Sequence, residues 1–506
     1  MLLPWLIALP FFGGIFCWYS EQFGEKKPRW IALMVIGFML ILSILLWVRS
    51  GDGLFQTPGH SQWQSEFSTQ WIPRFGIDFH LALDGLSLIM IILTSIVGMM
   101  ATLCSWNEIK KSHGFFHFNL LWILSGVIGV FLSIDLFLFL MFWEMILVPM
   151  YLIIIIWGHK DTVSKIGVTS GTKFLIYTQL SGLLMLISIL GLVVTHYHAI
   201  GEWTFNYEHL LNTPMLSRVE KLLMIGFFIA FSIKMPIVPL HGWLPDTHSQ
   251  TPTGGSVDLV GILLKTSAYG LLRFVLPLFP RASSEFAPIA MSLGVVSIFY
   301  GAFLAFSQND MKRWLAYSSI SHTGFLLIAI YANSFLSYQG AVIQMIAHSL
   351  SASALFILCG QIYERLHTRD MREMGGLWSR IKWLPGFSLF FVMANIGIPG
   401  TGNFIGEFMI LVGSFHCAPM FSIIATFSLV FTAVYSLFMM KRIYYGEVKS
   451  QTPLSGMSSR EYLMILTLVV LSLCLGIYPQ PILNISYSGI MNIHNWLTSS
   501  ISVIRL

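Results

Sequence analysis

Long apolar stretches recur along the whole chain, and they constrain the fold more than any other feature. About 20 mostly apolar residues allow a helix to cross the hydrocarbon core of a bilayer. Fourteen such stretches lie near 2–19, 30–48, 84–106, 115–133, 136–157, 170–196, 221–240, 255–278, 286–306, 313–331, 338–361, 385–415, 420–441 and 461–478. The sequence therefore predicts an all-α polytopic membrane protein, with 1–506 as a single integral membrane domain.

The composition agrees with a lipid environment. Charged residues make up 10% of the chain and hydrophobic residues 56%, whereas soluble domains carry about 25% charged residues. A soluble enzyme, a disordered protein and a nucleic-acid-binding protein are all excluded by this shortage of charge. The first apolar stretch has no basic segment before it and no small-residue cleavage site, so we interpret it as a membrane helix rather than a signal peptide.

Basic residues in the connectors predict the orientation. Connectors that follow odd-numbered segments hold 19 Lys or Arg, and the even-numbered connectors together with the C-terminal tail hold 7. In this count Arg273 is taken as part of a connector. The two remaining bases, Lys234 and Lys265, lie inside the segments. Cytoplasmic loops carry the excess of Lys and Arg in membrane proteins. The bias predicts that odd connectors face the cytoplasm and that both termini lie on the opposite side.

Four charged residues fall inside predicted helices. They are Glu144, Lys234, Lys265 and Glu407. An ionised group at the bilayer centre is unfavourable by about 2.5–3.5 kcal/mol or more, so such groups are functional by default. The alternative is a set of buried ion pairs that lock helices together. Lysine favours proton transfer, because burial lowers the proton affinity of an amine whereas Arg stays charged.

Other polar residues are candidates for a proton path. His322 and His348 lie inside apolar segments and can relay protons near neutral pH, although a lone helix histidine is as readily a hydrogen-bonded core residue. Weaker candidates are Asp135, Asp258, His241 and His248, which lie toward segment ends. Asp84, just before a segment, is predicted to be a helix N-cap.

Two predicted helices are interrupted by proline and glycine. Segment seven contains Pro236 and Pro239, and segment twelve contains Pro399 among glycines. The tetrapeptides at 233–236 and 396–399 align and lie five helices apart. An odd spacing inverts the topology, and paired broken helices in inverted halves indicate a transport pathway. The predicted units are an N-terminal part at 1–114, inverted repeats at 115–278 (segments 4–8) and 286–441 (segments 9–13), and a last helix at 461–478.

Several chemical motifs are missing from the sequence. There is no P-loop, no dinucleotide-binding glycine motif and no cysteine cluster. The five cysteines lie in or beside apolar segments and are predicted to be core residues. We therefore expect no catalytic residue, no metal site and no cofactor on this chain, so a partner must supply the energy for any pumping.

Specific stretches carry a family resemblance. They are DGLSLIM, FWEMILVPMY, KMPIVPLHGWLPDTHSQTPTGGSVDLVGILLKTSAYGLLR, SSISHTGF and GIPGTGNFIGEF. Through them the chain resembles, nearly end to end, the antiporter-like subunits of respiratory complex I, the NADH-quinone oxidoreductase of bacteria. Glu407 stands where the sister chains L and N typically carry lysine.

The resemblance implies roles for these residues. Glu144 would pair with Lys234 and tune its proton affinity, Lys265 would pass the proton on with His322 and His348, and Glu407 would release it outside. The chain would lie in the bacterial inner membrane, beside chains L and N and membrane lipids, as a non-redox subunit of an oxidoreductase. NADH, FMN, iron–sulfur clusters and quinone would bind partner subunits.

Two alternatives use the same sequence features. A subunit of a multisubunit Na⁺/H⁺ antiporter belongs to the same family and would use the same lysines and glutamates, so sodium-dependent transport would identify it. A purely structural spacer in the membrane arm would need Lys234 for assembly rather than for pumping.

Overall fold

The computed structural model describes residues 2–51, 63–158, 165–449 and 454–504. The first helices and the strands are α1 (Leu3–Ser20), α2 (Lys27–Gly51), β1 (Ser65–Ile72), β2 (Ile77–Leu83) and α3 (Gly85–Glu108). The next are α4 (His113–Leu132), α5 (Leu136–Met145), α6 (Leu147–Trp157), α7 (Lys165–Ile200), α8 (Tyr207–Leu210), α9 (Ser217–Lys234), α10 (Leu244–Gln250), α11 (Thr253–Asp258), α12 (Leu264–Gly270) and α13 (Leu276–Leu278). The last are α14 (Pro280–Ser307), α15 (Met311–Tyr331), α16 (Phe335–Leu366), α17 (Leu377–Arg380), α18 (Leu384–Ile396), α19 (Gly402–Cys417), α20 (Pro419–Tyr444), α21 (Ser459–Ile477) and α22 (Gln480–Ile504).

The prediction of an all-α polytopic membrane protein is confirmed. Eleven helices in the described ranges are long and apolar enough to cross a membrane. The other three predicted segments correspond to α9, to α15 and to the pair α18 and α19, which are too short or too polar to be counted in this way. The count of fourteen therefore stays a prediction. Lys160 and Arg505, which entered the count of basic residues, lie outside the described residues.

Both predicted helix breaks are present. α9 ends at Lys234 and α10 begins at Leu244, so Pro236 and Pro239 lie in the non-helical stretch between them. α18 ends at Ile396 and α19 begins at Gly402, with Pro399 between. Proline lacks the amide hydrogen that an α-helix needs, and backbone groups freed in this way must be satisfied inside the protein. The indole Nε1 of Trp243 does this in the first break by donating to the carbonyl oxygen of Ile233 at 2.8 Å.

One capping arrangement occurs once in each predicted half. Asp135 caps α5 by accepting hydrogen bonds from the second and third backbone amides of the helix, and it forms an antiparallel bridge with Asn206. Asp310 caps α15 in the same way and forms an antiparallel bridge with Asp370. Each cap lies at the start of the second segment of its half, as the proposed repeats would require. Asp84 is the predicted N-cap of α3 and accepts from the amide of Ser87.

Three features were not predicted. β1 and β2 form an antiparallel hairpin in a stretch that we expected to be a polar connector. α22 follows the last predicted segment, and its buried Ile490, Ile493 and Leu497 recur at the spacing of one helix face. Cys417 and Cys474 are exposed, whereas the other three cysteines are buried as expected.

Candidate functional site

The first half presents Lys234 at the end of its broken helix. Lys234 is the last residue of α9, and its side chain is buried. Its Nζ lies 3.6 Å from the centre of the Trp143 ring, and an aromatic face stabilises an adjacent ammonium. Glu144 follows Trp143 on α5, and no ion pair within 4.0 Å joins it to Lys234 in the described residues. The cation therefore rests on the indole, next to the carboxylate and not on it.

Glu144 packs against the neighbouring helix α7. It is half-buried and shares a face of its segment with the exposed side chains of Met141 and Val148. Its carboxylate lies against Gly182, where an added Cβ would overlap the oxygen Oε1. A side chain at position 182 would therefore displace the carboxylate.

Lys265 is buried in an irregular helix. Two stretches of π-helix, Leu259–Leu263 and Leu271–Val275, flank α12. The Nζ of Lys265 donates a hydrogen bond of 2.7 Å to the carbonyl oxygen of Val260. π-Helical turns are frequent at functional sites. Here the irregular backbone supplies an acceptor for a buried ammonium.

The second half holds a cluster of four polar side chains, two of which contact one oxygen of the Glu407 carboxylate. His322 Nδ1 lies 3.0 Å from Oε1 of Glu407, and Gln344 Nε2 donates to the same oxygen at 3.1 Å. The ring centre of His348 lies 5.0 Å from that of His322. All four residues are buried. The structure thus brings together three of the predicted residues, on α15, α16 and α19.

Several buried polar atoms in this region lack a protein hydrogen-bond partner among the described residues. They are both ring nitrogens of His348, Nε2 of His322 and Oε1 of Gln344. Buried polar groups are usually hydrogen-bonded, either to protein or to internal water. The arrangement is suited to a hydrated path rather than to a dry core.

The weaker candidates fall into two groups. Asp135 is fully buried and serves as the cap of α5, and this burial raises the pKa of its carboxyl to about 6. Asp258 and His248 are also fully buried, and none of their side-chain oxygens or ring nitrogens has a hydrogen-bond partner in the described part of the chain. His241 stacks edge-on against Tyr300 in the first break. These three polar residues remain candidates for the path, whereas Asp135 has a structural function.

Sequence reasoning missed several buried polar residues. Gln344 precedes His348 by one helical turn, and this spacing could have indicated it. Arg273, which we had assigned to a connector, is buried inside the span Thr253–Leu278 and forms an ion pair with Asp84. The expectation that the buried bases are lysines alone is therefore wrong. Lys312, also assigned to a connector, is fully buried and donates to the carbonyl oxygen of Thr251.

The described residues contain no group of three or more His, Cys, Asp or Glu side chains that could hold a metal ion.

Comparisons with known proteins agree with one another. A family model described as "NADH:quinone oxidoreductase/Mrp antiporter, TM" matches residues 133–432. The chain is 66% identical to NADH-quinone oxidoreductase subunit M of Escherichia coli (strain K12), over 100% of both chains. It is similar to a chain of respiratory complex I from Thermus thermophilus, with a TM-score of 0.86 and 25% identity over 98% of this chain and 99% of that one. A chain of the Mrp complex from Dietzia sp. shares the fold, with a TM-score of 0.82 and 18% identity over 97% of each chain.

Proposed function

Because this chain belongs to the NADH:quinone oxidoreductase/Mrp antiporter family and is a counterpart of subunit M, we propose that its buried Glu, Lys and His residues form a proton path. The chain is a proton-translocating subunit of the membrane arm of NADH:quinone oxidoreductase, respiratory complex I. It is a multi-pass membrane protein and a member of a multisubunit oxidoreductase complex. Electron transfer in the partner subunits would drive protons from cytoplasm to periplasm along this path.

The cluster around Glu407 carries the proposal. A carboxylate that contacts an imidazole at 3.0 Å, with a second imidazole behind it, has the geometry of a proton relay. Neutral imidazole can accept a proton on one nitrogen and donate from the other. His348 and His322 would carry the proton with water, and Glu407 would release it to the periplasm.

Lys234 would be the switching group of the first half. Its ammonium lies on Trp143 beside Glu144 without touching the carboxylate. Closing that gap would stabilise the charged lysine, and opening it would favour release of the proton. Movement of Glu144 would therefore change the proton affinity of Lys234. The released proton would pass to Lys265. A hydrogen bond to the carbonyl oxygen of Val260 holds the amine of Lys265 in the interior.

The division of the chain follows from the same proposal. Residues 115–278 and 286–441 would be inverted repeats, and the paired aspartate caps and paired helix breaks support this. Both termini would be periplasmic, in the bacterial inner membrane. Chains L and N would flank the chain, and NADH, FMN, iron–sulfur clusters and quinone would bind elsewhere in the complex.

The chain shares its fold with a chain of the Mrp complex, so an Na⁺/H⁺ antiporter subunit is the alternative function. As an Na⁺/H⁺ antiporter subunit, the chain would give transport that depends on sodium. Proton pumping by the assembled oxidoreductase that is unchanged when sodium is replaced by potassium would exclude this alternative.

The test uses the intact complex in native membranes. The variants Glu144→Ala, Lys234→Ala and Lys234→Arg are assayed for NADH-driven quinone reduction and for proton pumping, with a blot for assembly. We expect assembly to persist while both activities fall in all three. The arginine variant is decisive because it keeps the positive charge but cannot release a proton. Full activity of the assembled variants would refute the proton path and would favour a structural spacer in the membrane arm.

A further inference from the structure

A cavity of about 360 Å³ lies between α8, α13 and α22. Its walls are partly apolar and partly polar, the polar part coming from Tyr207, Asn492, Asn495 and Ser499, and Arg273 reaches it from the helix that carries Lys265. The volume and these polar groups are sufficient for several water molecules. Apart from Arg273, these residues belong to an even-numbered connector and to the tail, which the distribution of basic residues assigns to the outer side. The cavity therefore lies toward the outer side, next to the helix that carries Lys265.

A line of side chains leads from this cavity to the proposed proton path. Lys265, Tyr269 and Arg273 follow one another at intervals of four residues, and eight residues of helix span about 12 Å. The hydroxyl of Tyr269 lies 2.9 Å from Ser87 Oγ and donates to the carbonyl oxygen of Phe131 at 3.1 Å. These bonds fix the tyrosine between the two bases.

Arg273 ends this line in a buried ion pair with Asp84. Their side chains are 5% and 3% exposed. The backbone of α22 covers the pair closely, since a Cβ at Gly489 would lie 2.6 Å from an oxygen of Asp84. Asp84 also accepts the amide hydrogen of Ser87 as the cap of α3. Each oxygen of the carboxylate therefore has a partner, the amide of Ser87 for one and the guanidinium of Arg273 for the other.

We propose that the Asp84–Arg273 pair is an electrostatic seal, which stops protons from flowing back from the outer cavity to Lys265. A fixed guanidinium repels hydronium and does not release its own proton. The carboxylate of Asp84, held in the ion pair, is not available as a proton relay. Without the arginine, the cavity would end on a free carboxylate, one tyrosine away from Lys265. The inference rests on the proposed proton path, because a seal has a purpose only beside such a path.

The experiment measures passive proton leak separately from pumping. Complex I that carries Arg273→Gln, Arg273→Lys or the double change Asp84→Asn with Arg273→Gln is reconstituted into vesicles. An imposed pH gradient is then followed without NADH, and protons pumped per NADH are measured afterwards. The double variant leaves no unpaired buried charge, so it covers the case in which Arg273→Gln fails to assemble.

Arg365→Gln is the matched control. Arg365 forms a second buried ion pair, with Glu461 at 2.8 Å, and both side chains are 6% exposed. This pair joins α16 to α21 at the side of the odd-numbered connectors, away from the cavity. Losing it removes a buried pair of the same kind without opening the proposed route.

We expect the leak to rise about tenfold or more in Arg273→Gln, because a unit charge at such short range changes local ion populations by one to two orders of magnitude. In the double variant both charges are removed, so the leak should rise by a smaller factor, through the loss of the guanidinium that repels hydronium. Quinone reduction should continue while fewer protons are retained per NADH. Arg365→Gln should keep the wild-type leak, whereas Arg273→Lys, which keeps the charge but can release its proton, should leak more than the wild type and less than Arg273→Gln. A wild-type leak in the assembled double variant, or an equal rise in Arg365→Gln, overturns the seal. Normal pumping by Lys234→Ala would instead refute the proton path itself, so the two failures are distinguishable.

Discussion

The contact between Gly182 and Glu144 allows the proton path to be tested without changing a charged residue. The carboxylate of Glu144 occupies the space that a Cβ at position 182 would need. In Gly182→Ala the carboxylate must retreat by more than about 1 Å, or α7 must shift. Overpacking of this kind is destabilising by about 1–3 kcal/mol. The substitution thus moves one carboxylate and leaves the set of ionisable groups unchanged.

The size of the effect follows from the electrostatic attraction between Glu144 and Lys234. At a separation of about 4.5 Å, just beyond an ion-pair contact, and an effective dielectric constant of about 20, two unit charges attract by about 3.7 kcal/mol. At roughly 6 Å the attraction falls to about 2.8 kcal/mol. The loss of about 1 kcal/mol corresponds to about a fivefold change in the equilibrium that loads Lys234. We therefore expect coupled turnover to fall about fivefold in Gly182→Ala.

Gly167→Ala provides the control on the same helix. No atom lies within 4 Å of a Cβ built at Gly167, so alanine should leave the site untouched and favour the helix slightly. Proton pumping and quinone reduction are compared in inside-out membrane vesicles at equal amounts of assembled complex. If Gly182→Ala turns over like Gly167→Ala in the assembled complex, the position of Glu144 does not control Lys234, and the reasoning fails.

Three further outcomes are expected. Lys265→Arg should assemble but lose pumping, because arginine keeps its proton; retained pumping in vesicles would contradict a transfer through this amine. Gln344→Leu removes a hydrogen bond to Glu407 worth about 1.5–3 kcal/mol and should slow pumping several-fold. Gln361→Leu on the same helix should not, because the amide of Gln361 has no hydrogen-bond partner among the described residues; equal losses in the two variants would point to packing. Burial raises the pKa of Asp135 from 3.8 to about 6, so its stabilising contribution is complete below about pH 4 and is lost as the pH rises through 6. Asn caps a helix equally well. Asp135→Asn should therefore stabilise the complex at pH 8 by up to about 3 kcal/mol and should leave its stability unchanged at pH 4. The melting temperature is measured at both pH values, and equal shifts would contradict the buried charge.

Much of the fold could be predicted because lipid imposes simple rules on a sequence. Length and apolar content locate most of the helices, and proline with glycine locates both breaks. The hairpin of β1 and β2 escaped prediction because its strands lie outside the apolar stretches, where neither rule applies. α22 escaped because its Asn, Ser and His residues lower its mean hydropathy, although its buried face repeats at helical spacing.

The candidate residues could be identified from the sequence only where a charge or a histidine stands alone in an apolar segment. Glu144, Lys234, Lys265 and Glu407 are conspicuous for that reason. Contacts between distant segments are not encoded in local spacing, so the hydrogen bond from Gln344 to Glu407 could not be foreseen. The same limit applies to the first half of the chain. There the ammonium of Lys234 lies on the ring of Trp143 rather than on a carboxylate, and local spacing does not reveal this contact.

The proposed inverted repeats raise a question of direction that the backbone alone cannot answer. Two repeats with matching helices and breaks but opposite orientation would be equivalent toward the two sides of the membrane. The side chains at the breaks differ, however. Lys234 ends the first broken helix, whereas the second ends at Ile396 and is followed by Gly397, in a left-handed conformation and against the carboxylate of Glu407. A Cβ at Gly397 would lie 2.9 Å from that carboxylate, so position 397 of the second break has little room for a side chain. One half thus offers a base at its break and the other an acid held by His322, and this difference gives the proposed path its direction.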